Sequence, residues 1–119
     1  MKLAISAETD QLSGPVDSRF GRARGFLIHD TETGENSFID NTQNLNSAQG
    51  AGIQSAKTVI NAGAGVLISG NVGPKAFAAL ESAKIEIYTG AKGSVGDAIE
   101  EYRAGRLTRT NAANVESHW

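Results

Sequence analysis

Apolar positions in this chain come in short runs, and their spacing changes partway along. The first part is strand-like. "KLAIS" (2–6) is short, apolar and followed by turn-rich sequence, so it is predicted to be a strand. "AETDQLSGPVDS" (7–18) is a polar loop broken by Gly-Pro. "GFLIHD" (25–30) and "SFID" (37–40) read as two further strands, joined through the turn residues of "TETGEN" (31–36) as a hairpin.

After the polar stretch "NTQNLNSAQG" (41–50) the period lengthens. Ile53, Ala56, Ile60 and Gly63 share one helical face with Val59 beside them, and Gly63 and Gly65 suit the helix end. "VLIS" (66–69) is almost entirely apolar, as expected of a strand covered on both faces. "GNVG" (70–73) is a tight turn, and Pro74 suits the first helical position because its missing N–H has no intrahelical role there. Ala76, Phe77, Leu80 and Ala83 supply the apolar side of that second helix. "IEIY" (85–88) alternates as a strand, and "GAKG" (90–93) turns into a third helix. Ser94 with Asp97 resembles a capping box, Val95, Ala98, Ile99 and Tyr102 form the stripe, and Gly105 ends it.

The predicted order is βββαβαβα. An antiparallel meander leads into strands that alternate with helices, which requires parallel pairing and right-handed crossovers. The fold class is therefore α/β, a five-stranded mixed sheet with helices packed on it. One domain spans 1–107; the segment "RLTRTNAANVESHW" (106–119) shows no clear period, and 108–119 reads as a tail.

Composition narrows the chemistry. At 119 residues the chain can bury one core unaided, and its net charge of −2 gives no global field toward nucleic acid or membrane. Any anion site must be local. There are no cysteines, so thiolate ligation of zinc or of an iron–sulfur cluster by this chain alone is excluded. "MKLAISAETD" is too short an apolar run for a secretion signal, and a cytoplasmic location is expected.

Three glycine-bearing turns each open a helix: "QGAG" (49–52), "GNVG" (70–73) and "GAKG" (90–93). Helix N-termini expose N–H groups and the positive dipole end, and glycine permits close approach of a ligand or of packed backbone. In open α/β sheets the ligand crevice lies beyond the carboxyl ends of the parallel strands. The loop carrying "DSRFGRA" (17–23) leaves the first strand at that same edge. Arg19, Arg22, Arg24 and Lys75 are available to an oxyanion there, with Arg19 the strongest candidate. None of the turns is a P-loop or a dinucleotide fingerprint. His29 falls within a strand pattern, His118 stands beside Trp119, and neither has the partners of a recognisable metal site. No nucleophile elbow, acid–base pair or clustered carboxylate set is present, so no enzyme is expected.

Several segments together carry a resemblance. "VDSRFGRARGFLIHD", "GAGIQSAKTVINAGAGVLISGNVGPKAFAAL" and "GSVGDAIEEYRAGRL" resemble the dinitrogenase iron-molybdenum cofactor biosynthesis family, which includes NifX, NafY and the C-terminal region of NifB. The resemblance implies a ribonuclease H-like sheet and a role in binding or carrying anionic metal–sulfur precursors, iron–sulfur or iron–molybdenum, without catalysis. In several members a histidine implicated in cofactor binding precedes the Phe-Gly of the first motif; here that position is Arg19. The leading expectation is a carrier of a small anionic ligand. Arg19, Phe20 and Gly21 would form one wall, with backbone donors from Gly50, Ala51 and Gly52 and from Gly70, Asn71, Val72 and Gly73. The alternatives are a cofactor-free interaction or regulatory module with a protein partner, and an enzyme acting on a phosphorylated or nucleotide ligand.

Overall fold

A computed structural model describes residues 1–44 and 50–114 of the chain. The strand-like segments fold as β1 (Lys2–Ala7), β2 (Gly25–Asp30) and β3 (Asn36–Asp40), followed by a 3-10 turn, Thr42–Asn44. The longer-period segments then give α1 (Ala51–Asn61), β4 (Val66–Ile68), α2 (Pro74–Ser82), β5 (Glu86–Tyr88) and α3 (Val95–Arg103). The five strands form one sheet in the order β3-β2-β1-β4-β5. The meander is antiparallel, with Leu3 opposite His29 and Leu27 opposite Phe38. β4 and β5 are parallel to β1, with Ala4 opposite Leu67 and Leu67 opposite Ile87.

The two faces of the sheet have separate cores. Ala4, Phe26, Ile28, Leu67 and Ile87 face α1 and α2, where Val59, Phe77 and Leu80 meet them. Leu3, Ile5, Leu27, Val66 and Ile68 face α3 through Val95, Ala98 and Ile99. Covering on both sides is why β1 and β4 read as unbroken apolar runs rather than alternating ones. Each large aliphatic buried here contributes on the order of 1.5–3 kcal/mol of transfer free energy.

One expectation needs correction. The sequence placed Ile53, Ala56, Ile60 and Gly63 on the buried face of α1, but Ile53 is 36% exposed. The buried residues of α1 are Ala51, Ser55, Ala56 and Val59. The reason is proximity: α1 lies against α2 closely enough that a Cβ on Gly52 would sit 3.2 Å from the Ala76 Cβ. Small residues suit that contact, and the larger Ile53 is turned outward.

The topology brings three helix starts to one edge. α2 and α3 begin just beyond the carboxyl ends of β4 and β5. α1 ends a few residues before β4 begins, so it runs back over the sheet and starts at the same edge. The β1–β2 loop also emerges there, because Ala7 is opposite Gly25 and Gly25 opposite Asp40. Beneath this edge the buried Ser6 hydroxyl donates to the Ser69 Oγ at 2.9 Å, linking the ends of β1 and β4.

Candidate functional site

The β1–β2 loop is organised around Asp17. Its N–H donates to the Ser6 carbonyl at 2.8 Å, continuing the pairing at the end of β1. Asp17 is only 4% exposed, and its carboxylate accepts from the Arg19 N–H at 3.1 Å and the Arg24 N–H at 3.2 Å. A short acidic side chain that binds backbone donors further along its own loop is a well-known turn device. Phe20 anchors the loop from below. Its ring is 1% exposed and lies 5.3 Å from the Phe26 ring, so Phe20 belongs to the core and offers the edge only its backbone.

A buried polar network holds the second half of the loop. Ser55 Oγ on α1 donates to the Gly21 carbonyl at 2.9 Å, and Asn41 Nδ2 donates to the Ala23 carbonyl at 2.9 Å. Asn41 also donates to Ser55 Oγ at 3.1 Å and accepts from Asn44 Nδ2 at 2.8 Å. These bonds satisfy carbonyls that the loop would otherwise bury unpaired.

The loop is seated on both glycine turns. The Phe20 N–H donates to the Asn71 carbonyl at 3.0 Å, and Asn71 Nδ2 returns a bond to the Ser18 carbonyl at 2.8 Å. A Cβ on Gly70 would lie 2.7 Å from the Ser18 Cα, and one on Gly21 would lie 3.0 Å from both the Gly52 N and Cα. Gly21, Gly52 and Gly70 are thus glycines because protein backbone or a neighbouring helix fills the space.

The three helix starts are not equivalent. At α3 the Val95 N–H donates to the Gly14 carbonyl, the Gly96 N–H to the Leu12 carbonyl, and the Asp97 N–H to Ser94 Oγ. The first N–H donors of α3, at Val95, Gly96 and Asp97, are therefore committed within the protein. α1 and α2 have no side-chain cap: their N-caps are Gly50, exposed at φ +82°, and Gly73. Among the described residues no protein acceptor meets the N–H groups of Ala51, Gly52, Ile53, Lys75 or Ala76. These two adjacent starts, in contact through Gly52 and Ala76, add their positive dipole ends at one place.

Exposed Arg19 and Lys75 lie on the two segments that border those starts. Of the sequence-derived residues, Arg19, Gly50, Asn71 and Gly73 present surface at the junction. Ala51 and Val72 point into the core, and the Val72 N–H is already taken by Asn114 Oδ1 at 2.8 Å. Gln49, Asn46, His118 and Trp119 lie outside the described residues. Arg24 approaches Asp40, whose carboxyl is held below the usual aspartate range, chiefly by hydrogen bonds from the Thr42 hydroxyl and N–H. Among the described residues no three His, Asp or Glu side chains converge in a way that would hold a metal ion. With no cysteine in the chain, the described edge fits an anion's outer atoms, through N–H groups and cations, and not direct ligation of iron.

Sequence reasoning missed the C-terminal segment. Past α3 the chain crosses the same edge: the Thr110 N–H donates to the Ile87 carbonyl at 2.7 Å, and the Thr89 N–H donates to Thr110 Oγ1 at 2.9 Å. Asn114 then binds the "GNVG" turn. A strap with no apolar period carries no hydrophobic signal, and only its asparagines and threonines hint at backbone contacts.

The apo form of the orange protein from Desulfovibrio gigas is 37% identical, with a TM-score of 0.94 and coverage of 96% of each chain. A NifB-type protein from Thermotoga, placed in the DUF35 family, is 34% identical, with a TM-score of 0.84 and 97% of each chain covered. An uncharacterized protein of Methanocaldococcus jannaschii is 31% identical over 112 residues, covering 92% of this chain and 91% of its own. The family model described as dinitrogenase iron-molybdenum cofactor matches residues 1–105, and on that match the chain belongs to this family.

Proposed function

We propose that the protein is a non-enzymatic carrier for a small anionic ligand of the metal–sulfur class, held at the carboxyl edge of the sheet. The observation that carries this reading is the pair of adjoining, uncapped helix starts of α1 and α2, flanked by the Arg19 loop. Backbone N–H groups and guanidinium stabilise charge on sulfur or oxygen without forming bonds to metal. The family match and the orange protein, a relative solved in an apo form, support a carried group. The mixed sheet supports the ribonuclease H-like class that the family resemblance implies.

Native purification under anaerobic conditions, with metal and sulfide analysis, tests the reading directly. Co-purifying metal and sulfide, or retention of added tetrathiomolybdate, is the expected result. Protein that emerges bare and retains neither tetrathiomolybdate nor molybdate refutes it.

A second reading is a cofactor-free interaction module. What favours it is that the space beside Gly21, Gly52 and Gly70 is filled by protein atoms, and that Arg19 stands where the family resemblance implies a cofactor-binding histidine. The same purification separates the two, because a module of this kind retains no probe.

A further inference from the structure

The C-terminal strap bears on how such an edge is used. Asn114 alone makes four hydrogen bonds to the turn that precedes α2. Its N–H donates to the Val72 carbonyl at 3.2 Å, and its Oδ1 accepts from the Val72 N–H at 2.8 Å. Its Nδ2 donates to the Gly70 carbonyl at 3.3 Å and to Asn71 Oδ1 at 3.0 Å. The carboxamide oxygen thus takes an N–H in the turn just before the N-cap Gly73, three residues ahead of the first unsatisfied donor of α2, Lys75. Asn71 is at the same time the residue that clasps Ser18 and Phe20 of the Arg19 loop.

Among the described residues the strap is otherwise held by Thr110, through its N–H to the Ile87 carbonyl and its hydroxyl to Thr89. Asn114 is exposed, and Ala113 is only partly buried against the core. A few hydrogen bonds with so little apolar burial make a segment that opens at low free energy. A charged acceptor on the same N–H forms a bond roughly twice as strong as a neutral amide oxygen does.

We propose that residues 110–114 are a displaceable strap in which Asn114 Oδ1 stands in for a ligand atom on the Val72 N–H, so that anion binding and strap docking exclude one another. The proposal rests on the carrier reading above. It adds that the closed form described here is a self-occupied state of the site, and that loading frees the C-terminal segment for a change of exposure that a partner protein can read.

The test uses the full-length chain and its Asn114→Ala and Asn114→Asp variants, titrated with tetrathiomolybdate and, separately, with inorganic phosphate. Asn114→Ala removes the strap's three side-chain hydrogen bonds to the turn, the competing one on the Val72 N–H among them. It is therefore expected to bind more tightly than the parent by at least the about 2- to 10-fold that a single neutral bond represents. Asn114→Asp binds more weakly, because its carboxylate keeps the Val72 N–H and repels the anion. Hydrogen exchange at saturation is the second readout: the Thr110 and Asn114 amides lose protection while the Lys75 and Ala76 amides gain it. Equal or weaker binding by Asn114→Ala overturns the strap and leaves the carrier reading intact, as does retained protection at Thr110 and Asn114 in the saturated protein. Absence of binding to all three proteins overturns the carrier reading and the strap together.

Discussion

Single residues at the carboxyl edge separate into those that fix the backbone and those that face outward. Gly70 and Gly21 belong to the first kind, since a side chain at Gly70 meets the Ser18 backbone, whose carbonyl Asn71 holds, and one at Gly21 meets the backbone of the first turn of α1. Gly70→Ala and Gly21→Ala are expected to destabilise by about 1–3 kcal/mol, Gly70 the more, as measured by chemical denaturation. Gly50 has open space around it, so Gly50→Ala carries only the left-handed backbone strain of about 1–2 kcal/mol. Arg19 is of the second kind. Arg19→Ala should leave stability within about 0.5 kcal/mol while weakening tetrathiomolybdate retention, with the difference from the parent shrinking as salt is raised. His29 lies away from this edge. Its Nδ1 meets Asn36 Oδ1 at 2.7 Å, and its Nε2 is buried without a partner among the described residues. Replacing it with Leu removes an orphaned acceptor, and unfolding curves should show His29→Leu to be neutral or stabilising.

At the scale of elements, the contrast among helix starts is the informative feature. Ser94 caps α3, so Ser94→Ala should lower stability by about 1 kcal/mol and leave anion binding unchanged. The corrected face of α1 gives a paired expectation. Ile53→Gln is tolerated because Ile53 is exposed, whereas Ala56→Leu overfills a fully buried contact and is expected to destabilise by about 1–3 kcal/mol. At the end of β3, Asp40 has its pKa lowered below 3.8 by the Thr42 hydrogen bonds. A carboxyl depressed in the folded state contributes stability above its unfolded pKa and loses it as pH falls through the folded value. Asp40→Asn should therefore flatten the decline of stability below about pH 4, measured by denaturation across that window.

At the scale of the whole molecule, a two-sided sheet sends three helix starts, one long loop and the C-terminal strap to a single edge. The opposite arrangement, with the candidate residues divided between the two sheet edges, would leave Arg19 and Asn71 unable to form the bridge seen between them. Rigidity comes from the paired cores on either face, and the proposed strap would add adaptability. No helix among the described residues is long and apolar enough to cross a membrane. Among its described residues the edge differs from a metal centre assembled from ligating side chains: it offers backbone donors and cations.

The alternating runs and the shift to helical spacing marked the strands and helices, because burial on one or both faces imposes its period on local sequence. The same local signals located Gly50, Gly70 and Gly73 at helix starts, and the order of elements was enough to send them to one edge. Sequence alone did not show which glycines face a neighbour and which face solvent, since glycine is written the same way for both. It ranked the larger Ile53 above Ala51 and Ser55 on α1, because hydropathy does not report how closely two helices approach. It took Phe20 as a wall of the site, although its ring is buried against Phe26 in the core on the same sheet face. It gave no sign that Asn114 reaches Val72, a contact between residues 42 positions apart made by hydrogen bonds that leave no periodic trace. Local pattern thus determined the elements and their direction, whereas the occupancy of each donor was decided by long-range backbone contacts that exist only once the chain has folded.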